Sequence, residues 1–217
     1  VSQYDAIAGR YDEHFARPVD RWEDERLAAL LAPLVDGRDV LDLGCGTGWL
    51  ADHTTPAFYT GVDCSAPMLA TLAAKHPDAV LIKATVGKPG WQSAITPEPG
   101  LARYDAITAT WALQYLGDLA VLLRLLPSML RPGGVIALHG YLPRYRRRSH
   151  EITGEDRPVV DPWAVRAATR DAGLPPPLIT GTGALPDRLA VSRGLWAVTA
   201  RAPARWHYAA LWTWRLR

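Results

Sequence analysis

Residues 40–48 read Val40-Leu41-Asp42-Leu43-Gly44-Cys45-Gly46-Thr47-Gly48. A short run of strand character passes straight into three glycines at alternate positions. Glycine lets the backbone reverse sharply and lets a ligand approach with no Cβ in the way. The following helix turns its N–H groups, and the positive end of its dipole, towards any anionic group lying there. A strand, a glycine turn and a helix in that order predict a nucleotide-type site at the carboxyl end of a parallel strand.

The spacing separates the candidate ligands. A dinucleotide fingerprint wants Gly-x-Gly-x-x-Gly, with a third glycine for close helix–strand packing. Here that position is Trp49, and Gly48 comes one place early. A P-loop needs Gly-Lys-Ser/Thr, which is absent. Asp63, at the end of the next apolar run, is placed to accept hydrogen bonds from both hydroxyls of a ribose. The competing reading of Asp63 as a helix cap is weakened by Ser65, which fits that role better.

Around this turn the chain alternates between strand and helix patterns. Helices are predicted over 21–35, 49–55, 66–76, 118–130 and 162–172, with a short one near Trp91. Strands are predicted over 40–43, 57–62, 79–84, 104–110, 135–139, 177–181 and 195–201. Alternation of this kind implies parallel pairing through right-handed crossovers. The tail alternates Trp206, Tyr208, Ala210, Trp212, Trp214 and Leu216 with His207, Ala209, Thr213 and Arg215. A period of two predicts an additional strand with one buried face, and leaves open whether it closes the core or forms a homodimer interface.

Composition narrows the function. With 217 residues, 48% hydrophobic and 21% charged, the chain suits one globular domain. A net charge of +2 gives no support for a duplex-binding surface. The two cysteines, Cys45 and Cys64, exclude a disulfide framework and a four-cysteine zinc site, and no metal is expected. No signal-peptide pattern and no apolar run of spanning length is present, so a cytoplasmic protein without a membrane segment is predicted.

The run VLDLGCGTG, the segment YTGVDCSAPML (59–69), and Tyr104-Asp105-Ala106-Ile107 followed by LRPGG (130–134) resemble the class I methyltransferases that use S-adenosylmethionine (SAM). Residues 4–12 (YDAIAGRYD) are similar to the helix preceding the core in small-molecule members of that group. The resemblance covers about residues 1–140. It implies a Rossmann-like, doubly wound α/β fold: a seven-stranded, mostly parallel sheet with the last strand antiparallel. It also implies one domain over 1–217, with N-terminal lid helices over 1–35, a SAM-binding core over 36–141 and a C-terminal part over 142–217.

The resemblance further implies that Gly44, Cys45, Gly46 and Gly48 lie against the methionine and ribose portions of SAM, with Asp63 on the ribose. It sets Cys64 and Met68 beside the adenine, Tyr11 over the methionine end, and Thr110 and Trp111 beside the sulfonium. Many members carry an Asp after the third strand to hold the adenine amino group; here the chain reads Ala84-Thr85, and Thr85 offers one hydrogen bond instead.

The acceptor is read by elimination. Base-directed amino-methyltransferases place Asp/Asn-Pro-Pro-aromatic after the fourth strand, and this chain has Ala109-Thr110-Trp111-Ala112. The Pro-Cys pair of the cytosine carbon-5 class is also missing. A nucleic-acid partner is therefore not expected, and an O, N or C of a small metabolite is, with S-adenosylhomocysteine (SAH) as product. A hydroxyl acceptor would want a general base, for which His139 and His14 are the candidates. Trp111, Gln114, Tyr115 and Tyr141 are candidate substrate-pocket residues. Arg144, Arg146, Arg147 and Arg148 form a basic cluster, read as a solvated loop in preference to an anion contact. The alternatives are a non-catalytic SAM-sensing or partner-binding domain on the same fold and, further off, an NAD-linked oxidoreductase.

Overall fold

The structure, a computed structural model, describes residues 4–95, 103–143, 159–183 and 209–216. The strands are β1 (Asp39–Leu43), β2 (Phe58–Asp63), β3 (Val80–Lys83), β4 (Tyr104–Ala109), β5 (Leu130–Tyr141), β6 (Leu178–Gly183) and β7 (Ala209–Arg215). They form one seven-stranded sheet in the order β3-β2-β1-β4-β5-β7-β6. Pairings among β1 to β5 are parallel, and β7 runs antiparallel to both β5 and β6. The chain steps outward from β1 to β3, then jumps back to β4 beside β1. That reversal opens a crevice past the carboxyl ends of β1 and β4, the usual ligand position in such sheets.

Helices α1 (Pro18–Val35), α2 (Trp49–His53), α3 (Ala66–Lys75), α4 (Trp91–Ile95), α5 (Leu119–Leu125) and α6 (Pro162–Asp171) cover the sheet. Alternation along each strand sorts the side chains into two cores. Val40, Ala106, Val135, Ala137 and Leu211 pack with Leu27 and Leu31 of α1 and Leu72 of α3. Leu41, Leu43, Ile107, Ile136, Leu138, Trp212 and Trp214 pack with Leu122 of α5 and Val165 of α6. A sheet covered on both faces explains why β1 and β4 carry apolar residues on both sides.

Helix ends follow local chemistry. Ser65 Oγ accepts from Met68 N at 3.4 Å, and Asp161 Oδ1 from Trp163 N at 3.0 Å. Asp118 Oδ1 accepts from Ala120 N and Val121 N. Two predicted helices need correction. Helix α1 begins at Pro18, three residues before the predicted start, because proline is tolerated where no intrahelical N–H is required. The 118–130 helix shortens to α5, followed by a 3₁₀ turn over Leu126–Met129, since Pro127 lacks the N–H that would continue it.

The tail strand is interior, with both faces covered: Ala209, Ala210, Leu211, Trp212 and Trp214 are all buried. The predicted strand over 195–201 and the cluster Arg144, Arg146, Arg147 and Arg148 lie outside the described residues. No helix among the described residues is long and apolar enough to cross a membrane.

Candidate active site

The glycine turn follows β1 directly. Gly44 N and Cys45 N donate to Val62 O of β2 at 2.7 and 3.1 Å, tying the turn to the neighbouring strand. Gly44, Gly46 and Gly48 have φ of +70°, +53° and +97°, a region that favours glycine. Their surroundings differ. A Cβ on Gly44 would sit 2.7 Å from Ala112 Cβ, and one on Gly48 2.8 Å from Leu72 Cγ. A Cβ on Gly46 would meet nothing within 4 Å. Gly44 and Gly48 therefore serve close packing, while Gly46 faces open space.

Gly46 N donates to Asp63 Oδ2 at 3.0 Å, and Ser65 N donates to Asp63 Oδ1 at 2.8 Å. Both carboxylate oxygens are thus fixed by backbone amides, each with acceptor capacity remaining for a ligand hydroxyl. The turn and Asp63 open onto a cavity of about 540 Å³.

Most of the sequence-expected residues line this cavity: Gly44, Cys45, Gly46, Asp63, Cys64, Met68, Thr85, Thr110 and Trp111, with Tyr11 at its mouth. Tyr115, Tyr141 and His14 line it as well. Gly48, Gln114 and His139 do not belong to the wall. Gln114 Nε2 donates to Trp111 O at 2.7 Å. His139 is fully buried, with Nε2 2.8 Å from Thr182 Oγ1 and the ring edge-on to Trp111 at 4.1 Å. Burial drives its imidazole down to about 3, so it is neutral and weakly basic. The general-base expectation for His139 is corrected accordingly: the residue is sealed behind Trp111.

Beside the expected Tyr11 and Tyr115, the cavity is lined by Tyr4 and Phe15, which sequence reasoning did not single out. Tyr4 Oη donates to Tyr115 Oη at 2.8 Å, and Tyr4, Tyr11 and Phe15 make successive ring contacts at 5.9 and 5.1 Å. Thr47 Oγ1 donates to Asp12 Oδ1 at 2.6 Å and Ser65 Oγ to Asp5 Oδ1 at 2.6 Å, latching the N-terminal segment over the turn.

Asp20, Glu23 and Asp24 of α1 also reach the wall. Burial raises the Asp24 carboxyl to about 6, opposed by the Trp49 indole N–H donating to it at 2.7 Å. A signal for these acids was present: the apolar stripe Leu27, Leu31, Leu34 runs back along the helix onto Asp20, Glu23 and Asp24, setting acids on an inward face.

Behind the turn, Asp42 is buried and accepts from Tyr59 Oη at 2.8 Å and Thr108 Oγ1 at 2.9 Å; burial raises it to about 6. Burial also pushes the Cys45 thiol well up, which suits a packing residue and not a nucleophile. Both cysteines are free. Among the described residues no cluster of His, Cys, Asp or Glu is arranged to hold a metal ion.

The cavity suits an adenosyl ligand: a fixed carboxylate for a ribose, an open glycine beside it, and the apolar Met68 and Val86 for a base. Comparison with known proteins agrees. The family described as "Methyltransferase domain" matches residues 11–170. A trans-aconitate 2-methyltransferase of Delftia acidovorans is 39% identical over 145 residues, covering 62% of this chain and 51% of that protein. One of Paracidovorax citrulli is 34% identical over 196 residues, covering 86% and 68%. The chain thus spans from about half to two thirds of the length of these relatives. A solved SAM-dependent methyltransferase of Mesorhizobium loti superposes with a TM-score of 0.66 at 20% identity, covering 91% of this chain and 99% of that one; at that identity it speaks for the fold. With the sheet order, the fixed Gly46–Asp63 pair and a family match over most of its length, the chain belongs to the methyltransferase-domain family.

Proposed function

We propose that this chain binds SAM at the Gly44–Gly48 turn and transfers its methyl group to a small-molecule acceptor. The observation that carries the reading is the pair of amide bonds, from Gly46 and Ser65, that aims the Asp63 carboxylate into a cavity of about 540 Å³. When bound, SAM supplies an electrophilic methyl on a sulfonium and leaves as SAH.

The chain's own residues provide alignment and exclusion of water, which is most of what an already activated donor requires. Asp63 holds the ribose, Cys64 and Met68 border the base, and Thr85 accepts or donates one hydrogen bond there. Tyr11 and its ring neighbours Tyr4 and Phe15 cover the opening. Thr110, Trp111, Tyr115 and Tyr141 form the acceptor side.

The test is calorimetric titration of the purified chain with SAH and with NAD, followed by transfer of labelled methyl from SAM to a panel of small acceptors. SAH heats with no NAD heats, together with labelled product, are expected. Binding of NAD alone would remove the assignment, and SAH binding without turnover on any acceptor would favour a sensing role.

A further inference from the structure

Contacts from β5 and from the turn that follows Trp111 converge on this residue. Its φ of +59° is the one left-handed conformation among the described non-glycine residues, and a side chain this bulky adopts it only when its surroundings hold it there. Trp111 N donates to His139 Nδ1 at 3.4 Å, and Trp111 O accepts from Gln114 Nε2 at 2.7 Å. The indole meets the His139 ring at 4.1 Å and the Tyr141 ring at 5.2 Å.

The two sides of this clamp are themselves fixed. An Nδ1 that accepts from Trp111 carries no proton, so Nε2 bears it and donates to Thr182 Oγ1 at 2.8 Å, on the edge strand β6. Thr182 is fully buried, as is His139. Gln114 is held close to β5 because Gly140 has no side chain: a Cβ there would lie 2.9 Å from Gln114 Oε1 and 3.1 Å from Leu113 Cβ. Next to Trp111, the hydroxyl of Thr110 is buried with no hydrogen-bond partner among the described residues.

We propose that His139 is a positioning residue: in its Nε2–H tautomer, backed by Thr182, it holds Trp111 in the left-handed conformation that turns the indole towards the acceptor side of the cavity. The inference rests on the reading of that cavity as the methyl-transfer site. It assigns to His139 no proton transfer, in keeping with a burial that keeps the ring neutral.

The test uses the full chain labelled with 5-fluorotryptophan, with the Trp111 resonance assigned from Trp111→Phe, and with ¹⁵N-labelled histidine. His139 is expected as the neutral Nε2–H tautomer with no titration between about pH 5 and 8, with and without SAH. His139→Asn, whose amide offers one acceptor and one donor, should keep the Trp111 resonance near its wild-type position. His139→Phe, which fills the space and removes both bonds, should displace it.

Thr182→Val removes only the far partner and should move the Trp111 resonance part of the way; it also serves if His139→Phe does not fold. A His139 midpoint inside that pH range, an Nδ1–H tautomer, or a Trp111 resonance untouched by both His139→Phe and Thr182→Val would overturn the proposal. Absence of any SAH response in the wild type would sink the cofactor reading instead, and the tautomer and Trp111 readouts would still decide the clamp.

Discussion

Gly46 and Asp63 orient each other: the amide of one lies 3.0 Å from a carboxylate oxygen of the other, across the carboxyl ends of two adjacent parallel strands. Asp63→Ala removes the ribose acceptor and the bond that steadies the turn. Hydrogen bonds to a charged group are worth about 1.5–3 kcal/mol, so SAH affinity should fall about 10- to 100-fold in calorimetry. Asp63→Asn, keeping one acceptor oxygen, should lie between. Equal affinity in all three proteins would remove Asp63 from the site.

The turn glycines should respond differently to substitution. Gly44→Ala forces a Cβ to 2.7 Å from Ala112 Cβ at φ +70°, and should cost about 2–3 kcal/mol of stability in urea unfolding. Gly46→Arg meets no neighbour within 4 Å, so the protein should fold with a smaller loss, of about 1 kcal/mol from backbone strain, yet fail to bind SAH. A folded Gly46→Arg protein with normal SAH binding contradicts the assignment.

Stability should fall as pH rises from about 4 to 6. Asp42 is shifted from 3.8 to about 6, so in that window the folded state holds more protons than the unfolded one, and raising the pH favours unfolding. A shift of this size corresponds to roughly 3 kcal/mol at most. Asp42→Asn should flatten the profile, leaving a residual slope of the same sign from Asp24. Denaturant midpoints at both ends of the window, for both proteins, decide it.

Trans-aconitate, the acceptor in the names of the relatives, should be a poor acceptor here. It is a polycarboxylate, and the described α1 wall offers Asp20, Glu23 and Asp24 with Arg17, whose Nη2 is already 2.8 Å from Asp20 Oδ1. Like charges in a partly dry cavity weaken binding. Labelled-methyl assays comparing trans-aconitate with neutral and amine-bearing acceptors should favour the latter; efficient turnover of trans-aconitate would show that cationic groups outside this wall dominate.

What the sequence disclosed was whatever is decided locally. The strand, the glycine turn and the acid ending the next strand are short-range features, and Ser65 and Asp161 mark their helix starts by chemistry within three residues. What it hid depends on distant partners. His139 reads as a candidate base at the end of a predicted strand until Thr182, forty-three positions later, is found bonded to it. Tyr4 gains its place through Tyr115, and the acids of α1 through the direction in which the helix docks. The tail alternates with period two as read, but alternation does not tell an edge strand from one enclosed on both sides.

The enclosed position of β7 sets an order on biosynthesis. Among the described strands its partner β6 has no other neighbour, so that β6 pairs only once residues 209–215 have been made, whereas β1 to β5 can associate earlier. Completion of the fold therefore waits on residues 209–215, and a chain that lacked them would have an open sheet and an exposed apolar seam.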